Sequence, residues 1–342
     1  MILLLKKIAL IIVSVVLLVL LFALSLFGYF NLPGPAPRED VSLGMTFSSR
    51  YAEGLGLDWR ETYVALLDDV KMRKVRLPVY WDLVENEKGT YDFSDVDWQL
   101  AEARKRSAEV ILTVGVKVPR WPECHIPIWA KDDKAIREKG MLSLIKATVE
   151  RYRNDTTIVK WQVENEPFLS FGVCPEFDVN FLDKEVALVK KLDMRPIVLT
   201  DSGELSLWYG AASRGDEFGT TLYRDIYSEK VGGYFEYPIG PNFFRFKEKM
   251  IRIFTHQKNF MVIELQGEPW ASGWIVDVSL EEQARTMNAQ RLVENVDYAR
   301  RVGFHDIYLW GGEWWYWMKV KKNSPAVWET GKELFEKYGE KE

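Results

Sequence analysis

The chain has 342 residues, 47% of them hydrophobic, which is enough apolar material for a large core and excludes global disorder. Its formal net charge is −5 and its sequence pI is about 5.6, so the composition gives no sign of a nucleic acid partner. Aromatic residues make up 14% of the chain and include 14 tryptophans, which suggests that some of these rings stack against a ligand.

The first predicted element is a hydrophobic helix over residues 8–30. Twenty-three helical residues span about 34 Å, enough to cross the roughly 30 Å core of a bilayer, so this segment is expected to contact lipid. Lys6 and Lys7 precede it and should stay cytoplasmic, which directs the following chain outward.

Two interpretations remain open for this segment. We favour residues 1–31 as an uncleaved signal anchor over a cleaved signal peptide, for which residues 23–25 offer a weak cleavage site. Either way the remaining chain lies outside the cytoplasm, membrane-anchored in the first case and secreted in the second. Residues 32–40 are predicted to form a short, stiff, exposed linker, followed by a catalytic domain over 41–342.

From residue 41 onward, short strand-like runs alternate with amphipathic stretches. Eight strands are predicted, at Val41–Phe47, Lys74–Val79, Glu109–Gly115, Ile158–Glu164, Pro196–Thr200, Thr220–Tyr223, Phe260–Glu264 and Asp306–Trp310. Helices are predicted near 59–72, 94–107, 132–153, 179–193, 241–257, 278–302 and 325–338, with only a short helix in the fifth unit. This alternation requires parallel pairing through right-handed crossovers and predicts an α/β fold, a (β/α)8 TIM barrel. An open doubly wound sheet is the alternative, but no nucleotide-binding glycine motif follows a strand.

Two glutamates stand at the ends of predicted strands, Glu166 after the fourth and Glu264 at the end of the seventh. In a barrel both would reach the mouth formed by the carboxyl ends of the strands. Cleavage of a glycosidic bond needs such a pair, because one carboxyl protonates the leaving oxygen while the other attacks or stabilises the anomeric carbon. One glutamate alone would more often form an ion pair or cap a helix, but two at strand ends favour catalysis.

Several motifs resemble those of clan A glycoside hydrolases. The sequence Asn165-Glu166-Pro167 resembles their N-E-P motif, and 75–79 (VRLPV) is similar to the strand-two V-R-x-P-V of family 5. Residues 85–94 (ENEKGTYDFS) look like the E-x-x-x-G-x-Y-D-F-S segment of several families in the clan. Trp310 matches the strand-eight tryptophan that forms the floor of the −1 sugar site.

The resemblance implies roles for individual residues. Glu166 would be the acid/base and Glu264 the nucleophile. Asn165 would bond the sugar 2-hydroxyl, Arg76 would keep Glu264 ionised, and Tyr223 would bond the nucleophile. The chain departs from family 5 at two positions, because residues 113–117 (TVGVK) and Thr221 stand where that family has histidines.

Other residues near the expected mouth have weaker signals. Glu164 is expected to pair with a barrel lysine, and Glu268 could touch a distal sugar. Cys124 and Cys174 follow neighbouring strands and could form a disulfide beside the cleft. Tryptophans in the loops that follow strands are candidate sugar contacts, with Trp270 and Trp310 expected nearest the site; the others are Trp121, Trp129, Trp274, Trp314, Trp315 and Trp317.

These patterns predict a retaining hydrolase of β-glycosidic bonds in an oligo- or polysaccharide, acting as a monomer without a metal or cofactor. The resemblance supplies the retaining mechanism. A catalytically silent carbohydrate-binding barrel held at the membrane is an alternative, since a fold does not dictate its function. A transglycosylase would use the same residues and differ only in whether water or a sugar attacks the intermediate.

Overall fold

The computed structural model describes residues 2–340. The strands are β1 (Ser42–Thr46), β2 (Lys74–Pro78), β3 (Glu109–Val114), β4 (Ile158–Val163), β5 (Ile197–Asp201), β6 (Glu217–Leu222), β7 (Asp225–Ser228), β8 (Gly233–Glu236), β9 (Phe260–Gln266) and β10 (Asp306–Trp310). The helices are α1 (Ile2–Phe30), α2 (Ser49–Gly54), α3 (Trp59–Asp68), α4 (Trp81–Val84), α5 (Ser94–Lys105), α6 (Lys134–Tyr152), α7 (Val179–Leu192), α8 (Tyr209–Ala212), α9 (Pro241–Phe254), α10 (Leu280–Thr286), α11 (Ala289–Val302), α12 (Gly312–Lys321) and α13 (Ala326–Tyr338). A short 3-10 turn covers Ile128–Ala130.

Eight strands close into a parallel barrel in the order β1-β10-β9-β6-β5-β4-β3-β2, which confirms the predicted fold. Each predicted strand corresponds to one barrel strand, with ends that differ by a few residues. The remaining strands, β7 and β8, form an antiparallel hairpin that was not predicted. The hairpin follows β6 and therefore projects from the carboxyl end of the barrel, where active sites of this fold lie.

The stretch 278–302, predicted as one helix, is two helices. The α10 helix begins at the predicted cap, because the Ser279 side chain accepts a hydrogen bond from the Glu282 amide. At residue 288 the backbone is extended (φ −157°, ψ 178°), and the Asn288 side chain caps the new helix by accepting from the Arg291 amide. Apolar periodicity continues across this break and so does not reveal it.

The barrel interior is filled by side chains rather than open. Tyr308 lies within a buried cluster with Ile111, Val198 and Ile263. A Cβ atom at Gly44 would stand 2.7 Å from the Tyr308 ring, so this strand position admits only glycine beside so large a neighbour. The filled interior closes the barrel beneath the mouth and leaves the strand ends as the accessible part.

The N-terminal helix contains a segment, Leu4–Phe30, that is long and apolar enough to cross a membrane. The segment 31–41 then runs along the barrel wall, where the Arg38 amide donates to Arg300 O (3.0 Å) and Arg301 donates to Pro35 O (3.2 Å). The predicted linker is thus attached to the barrel by hydrogen bonds along its length.

Candidate active site

The loop that leaves β4 carries the acid/base candidate in a strained backbone. Glu164 and Glu166 both have positive φ values, 57° and 43°, which cost free energy for residues with a side chain and occur where surrounding contacts enforce them. The Asn165 amide donates to Lys117 O (2.7 Å) and the Glu166 amide donates to Thr200 Oγ1 (2.8 Å). These bonds, one to the loop after β3 and one to β5, hold residues 164–166 at the mouth.

Arg76 is the central cation of the site and is fully buried on β2. Its guanidinium donates to Glu264 Oε1 (2.6 Å), Asn165 Oδ1 (2.6 Å) and Gln162 Oε1 (2.7 Å). One planar group thus fixes side chains from β9, the β4 loop and β4 itself. The structure therefore brings together Arg76, Asn165 and Glu264, as the resemblance implied.

Glu264 receives a second hydrogen bond on its other oxygen, because the Tyr223 hydroxyl donates to Glu264 Oε2 over 3.1 Å. Tyr223 follows β6, the neighbour of β9 in the barrel. With Arg76 on one oxygen and a phenol on the other, the Glu264 carboxylate is held in a single orientation near the carboxyl end of β9.

Glu166 has a different environment. Its carboxyl is buried, and its hydrogen bond from a side chain comes from the Thr221 hydroxyl, which donates to Oε1 over 3.2 Å. Burial first, and the negative charge of Glu264 second, raise the pKa of Glu166 well above its usual value. Glu166 therefore favours its protonated form, whereas the Glu264 carboxylate is bound by the Arg76 guanidinium.

The structure explains both departures from the family 5 pattern. Thr221 stands where a histidine was expected and contacts the acid/base candidate directly. At the end of β3, Gly115 has a φ of +146°, and a Cβ there would lie 2.7 Å from Glu164 Oε1. No larger side chain fits at Gly115 while Glu164 occupies its present position.

Glu164 has a structural role, as expected, but the prediction that it pairs with a lysine side chain is wrong, because its partners are backbone amides. Its two oxygens accept from the backbone amides of Val116 (2.6 Å) and Lys117 (2.7 Å). The Lys117 ammonium instead donates to the carbonyl oxygens of Glu166 (3.0 Å) and Leu169 (2.9 Å). Glu164 therefore shapes the β3 loop, while Lys117 supports the loop that carries the acid/base candidate.

Sequence reasoning missed a third carboxyl group at this site. Glu123 is buried in the β3 loop, and Asn165 Nδ2 donates to its Oε2 over 3.0 Å. Burial and the nearby charge of Glu264 raise the pKa of Glu123 to about 7. Its backbone has a positive φ of 73°, as does that of Arg120 at 90° in the same loop. No motif in the sequence marks either residue.

A second ion-pair network lies beside Glu166 and Glu264. Arg120 pairs with Glu268 and, over 3.2 Å, with Glu313. Trp310 Nε1 donates to Glu268 Oε1 (2.8 Å), and the Arg120 guanidinium lies over the Trp310 ring at 4.1 Å from its centroid. Glu268 is thus held by Arg120 and Trp310, and the Trp310 ring is fixed on both its edge and its face.

Aromatic rings line one side of the mouth. The Trp270 ring packs edge-on against Tyr223 with centroids 5.2 Å apart, and Phe171 lies between Trp270 and Trp121 at 6.0 and 5.9 Å. Trp121 is 64% exposed, so its face is free to meet a ligand. Three of the tryptophans expected as sugar contacts are instead buried on α12, where they pack in the core: Trp314, Trp315 and Trp317.

Cys124 and Cys174 form a disulfide, with Cα atoms 5.2 Å apart. The bond joins the loop that follows β3 to the loop that follows β4. These loops carry Glu123 and Glu166, so the disulfide ties together the two chain segments on one side of the mouth.

Comparisons with known proteins agree in fold with the predicted resemblance to clan A glycoside hydrolases. A GH5_18 protein from Bifidobacterium longum subsp. longum has a TM-score of 0.58 at 12% identity, over 87% of this chain and 79% of that one. A psychrophilic family 10 endo-β-1,4-xylanase has a TM-score of 0.51 at 14% identity, over 79% and 86%. An exo-β-1,4-mannosidase from Opitutaceae bacterium strain TAV5 has a TM-score of 0.54 at 13% identity, over 82% and 54%.

In sequence, mannan endo-1,4-beta-mannosidase A of Emericella nidulans is 24% identical over 174 residues. The match covers 46% of this chain and 44% of that relative, less than half of either protein. No protein-family model matches the chain.

Proposed function

We propose that this protein is a retaining glycoside hydrolase that cleaves β-glycosidic bonds of an oligo- or polysaccharide by double displacement. The observation that carries the proposal is the asymmetry between the two strand-end glutamates. Glu264 is bound by the Arg76 guanidinium, whereas Glu166 is buried beside a neutral hydroxyl with a raised pKa. An ionised nucleophile and a protonated acid are the two states that the first step requires.

In the proposed mechanism, Glu264 attacks the anomeric carbon while Glu166 protonates the departing oxygen. Glu166, then ionised, removes a proton from water, and the water oxygen displaces Glu264 from the sugar. Asn165 would bond the sugar 2-hydroxyl. Its side-chain amide is held by a hydrogen bond from Arg76 to its oxygen and by one from its nitrogen to Glu123, which supports this role. A sugar face would stack on the Trp270 ring and on the face of the Trp310 ring opposite Arg120.

The test is glycan cleavage by the full-length protein in detergent. The panel holds β-glucans, galactans, xylans and β-1,4-mannans, together with Manβ1-4GlcNAc, the disaccharide bound in one GH5_18 structure that this chain resembles in fold. Cleavage of one glycan should vanish in Glu264→Gln, and NMR of the first-formed product should show the β anomer. An α anomer as first product would refute the nucleophile role of Glu264. Binding without cleavage across the panel would favour a silent binding barrel.

We further propose that residues 1–31 remain attached as a membrane anchor and that the barrel lies outside the cytoplasm. The apolar helix and the preceding Lys6 and Lys7 support this orientation. A disulfide between Cys124 and Cys174 also suits an oxidising compartment. Sequencing the N-terminus of the protein extracted from membranes tests the anchor, because cleavage near residue 25 would remove it.

A further inference from the structure

The end of α1 is fixed directly to the first turn of α9. The Gly240 amide donates to Phe30 O (3.1 Å), and Asn242 Nδ2 donates to Tyr29 O (3.1 Å). The Phe30 ring packs edge-on against Phe243 with centroids 5.3 Å apart. The apolar helix is therefore joined to the barrel without a slack segment between them.

This junction lies at the same end of the barrel as the catalytic glutamates. In a (β/α)8 barrel the helices run antiparallel to the strands, so the first turn of α9 lies at the carboxyl end of β6. The segment after α1 then descends the barrel wall to Arg38, whose amide bonds Arg300 O near the end of α11. From there β1 begins at the opposite end of the barrel. The chain thus leaves α1 beside the mouth.

Exposed apolar side chains lie at the mouth end close to this junction. Leu205, Leu207 and Tyr209 follow β5 and are 65%, 87% and 56% exposed. Lys247 of α9 donates to Gly203 O over 2.6 Å and ties this segment to the helix that holds α1. Leucine and tyrosine are residues that enter the interface of a bilayer, with the tyrosine ring at the headgroup level.

Exposed apolar side chains occur at both ends of the barrel and do not decide which end faces the membrane. The attachment of Phe30 at the mouth end indicates that this end lies near the membrane. Ile253 and Phe254 are also exposed, but they lie at the far end of α9. The side chains of residues 4–25 are exposed throughout, so α1 does not lie against the barrel wall and contacts it through its last turn.

We propose that the barrel sits with its catalytic mouth toward the bilayer that holds α1, and that its substrate is a glycan carried on a lipid of that bilayer. This rests on the proposed glycosidase function and on retention of the anchor. The short attachment keeps the mouth near the membrane surface, where a lipid-borne glycan is present at a high effective concentration. The glycosidic C–O bond breaks, the water oxygen becomes the new anomeric hydroxyl, and Glu166 delivers a proton to the leaving oxygen.

Fluorescent labels at the two ends of the barrel test its orientation relative to the membrane, whether or not the protein is active. Leu207→Cys places a fluorophore at the mouth, and Met194→Cys places one at the opposite end, before β5, where the side chain is 96% exposed. The two native cysteines are bonded to each other and should not react with the label. In phosphatidylcholine vesicles with a headgroup nitroxide, the label at 207 should be quenched and the label at 194 should not. Equal quenching, or stronger quenching at 194, would overturn the proposed orientation.

The substrate class is tested with one β-linked disaccharide in two forms, free in solution and attached to a dialkylglycerol in the same vesicles as the full-length protein. The lipid-borne form should be cleaved about tenfold faster at equal total concentration, because both partners are confined to one surface. Glu264→Gln serves as the blank. Equal rates, or faster cleavage of the free form, would overturn the substrate class but leave the glycosidase function intact. If neither form were cleaved, and no glycan in the panel either, the glycosidase function itself would be overturned. The fluorescent labels would still test the orientation of the barrel in that case.

Discussion

Replacing Arg76 by lysine tests whether one guanidinium organises the site. Arg76 donates three short hydrogen bonds, to Gln162, Asn165 and Glu264, from a fully buried position. A lysine ammonium keeps the charge but lacks the planar fork, so we expect it to preserve one of the three bonds.

The magnitude follows from the two bonds lost. A hydrogen bond to a charged group contributes about 1.5–3 kcal/mol, so the free energy of unfolding should fall by roughly 3–6 kcal/mol. Because Asn165 and Glu264 lose their shared support, kcat/KM should fall by about 10²-fold, the cost of a misplacement of roughly 1 Å in a reacting geometry. Urea unfolding measures the first effect, and initial rates on the substrate found in the panel measure the second.

Arg195→Lys is the matched control. Like Arg76, Arg195 makes several contacts with one guanidinium group. It pairs with Asp193 and donates to Asp155 O (2.9 Å) and Ile158 O (2.8 Å). It precedes β5 and so lies at the end of the barrel opposite the mouth. This variant should lose stability while keeping its kcat/KM. If Arg76→Lys kept full activity, or Arg195→Lys lost as much, the reasoning about Arg76 would be refuted.

Three further predictions concern other groups around the mouth. Glu123→Gln removes a negative charge that raises the pKa of Glu166. The alkaline limb of the plot of kcat/KM against pH should therefore move to lower pH. A limb that stays at the same pH, or moves to higher pH, would contradict this. Cys124→Ser opens a disulfide with a sequence separation of 50, so the free energy of unfolding should fall, by up to about 4 kcal/mol in the chain-entropy account; an unchanged urea midpoint would contradict it. Glu185 is a buried residue of α7 whose carboxyl lies beside that of Glu164. Burial raises the pKa of Glu164 to about 7 and that of Glu185 well above its usual value. This pair therefore stabilises the fold at acidic pH and loses that contribution as pH rises through the raised values. Glu185→Gln should therefore flatten the fall in unfolding free energy above pH 7, and an unchanged slope would contradict this.

The barrel was predictable because each strand is marked by a local pattern. Runs such as Ile197–Asp201 are rich in apolar and β-branched residues, and the helices between the strands show one apolar face with caps such as Ser279. The β7–β8 hairpin was not predictable, since its residues neither alternate cleanly nor contribute to the core. The break at Asn288 was missed because a polar cap within an amphipathic stretch leaves the apolar period intact.

The site was predictable where strand order alone decides proximity. Glu166 follows β4 and Glu264 lies near the carboxyl end of β9, so the fold brings both to one mouth. Arg76, in the middle of β2, and Tyr223, after β6, were expected at the site only from the resemblance to clan A glycoside hydrolases. Glu123 could not be found this way, because its position depends on the path of the β3 loop. That loop turns through residues with positive φ, which no side-chain pattern in this stretch announces.

The assignment of acid and nucleophile depends on where the positive charge at the mouth is placed. The Lys117 ammonium is bound to carbonyl oxygens, and Arg120 is paired with Glu268 and Glu313. Among the described residues, Arg76 is the cation in direct contact with either of the two glutamate side chains, and its contact is with Glu264. Because like charges at close range disfavour double ionisation, the proton belongs on the partner without a cation. This arrangement supports the proposal that Glu166 is the acid in the first step. In the proposed mechanism, Glu264 loses its charge when it becomes bonded to the sugar. This removes one cause of the raised pKa of Glu166, which would then serve as the base in the second step.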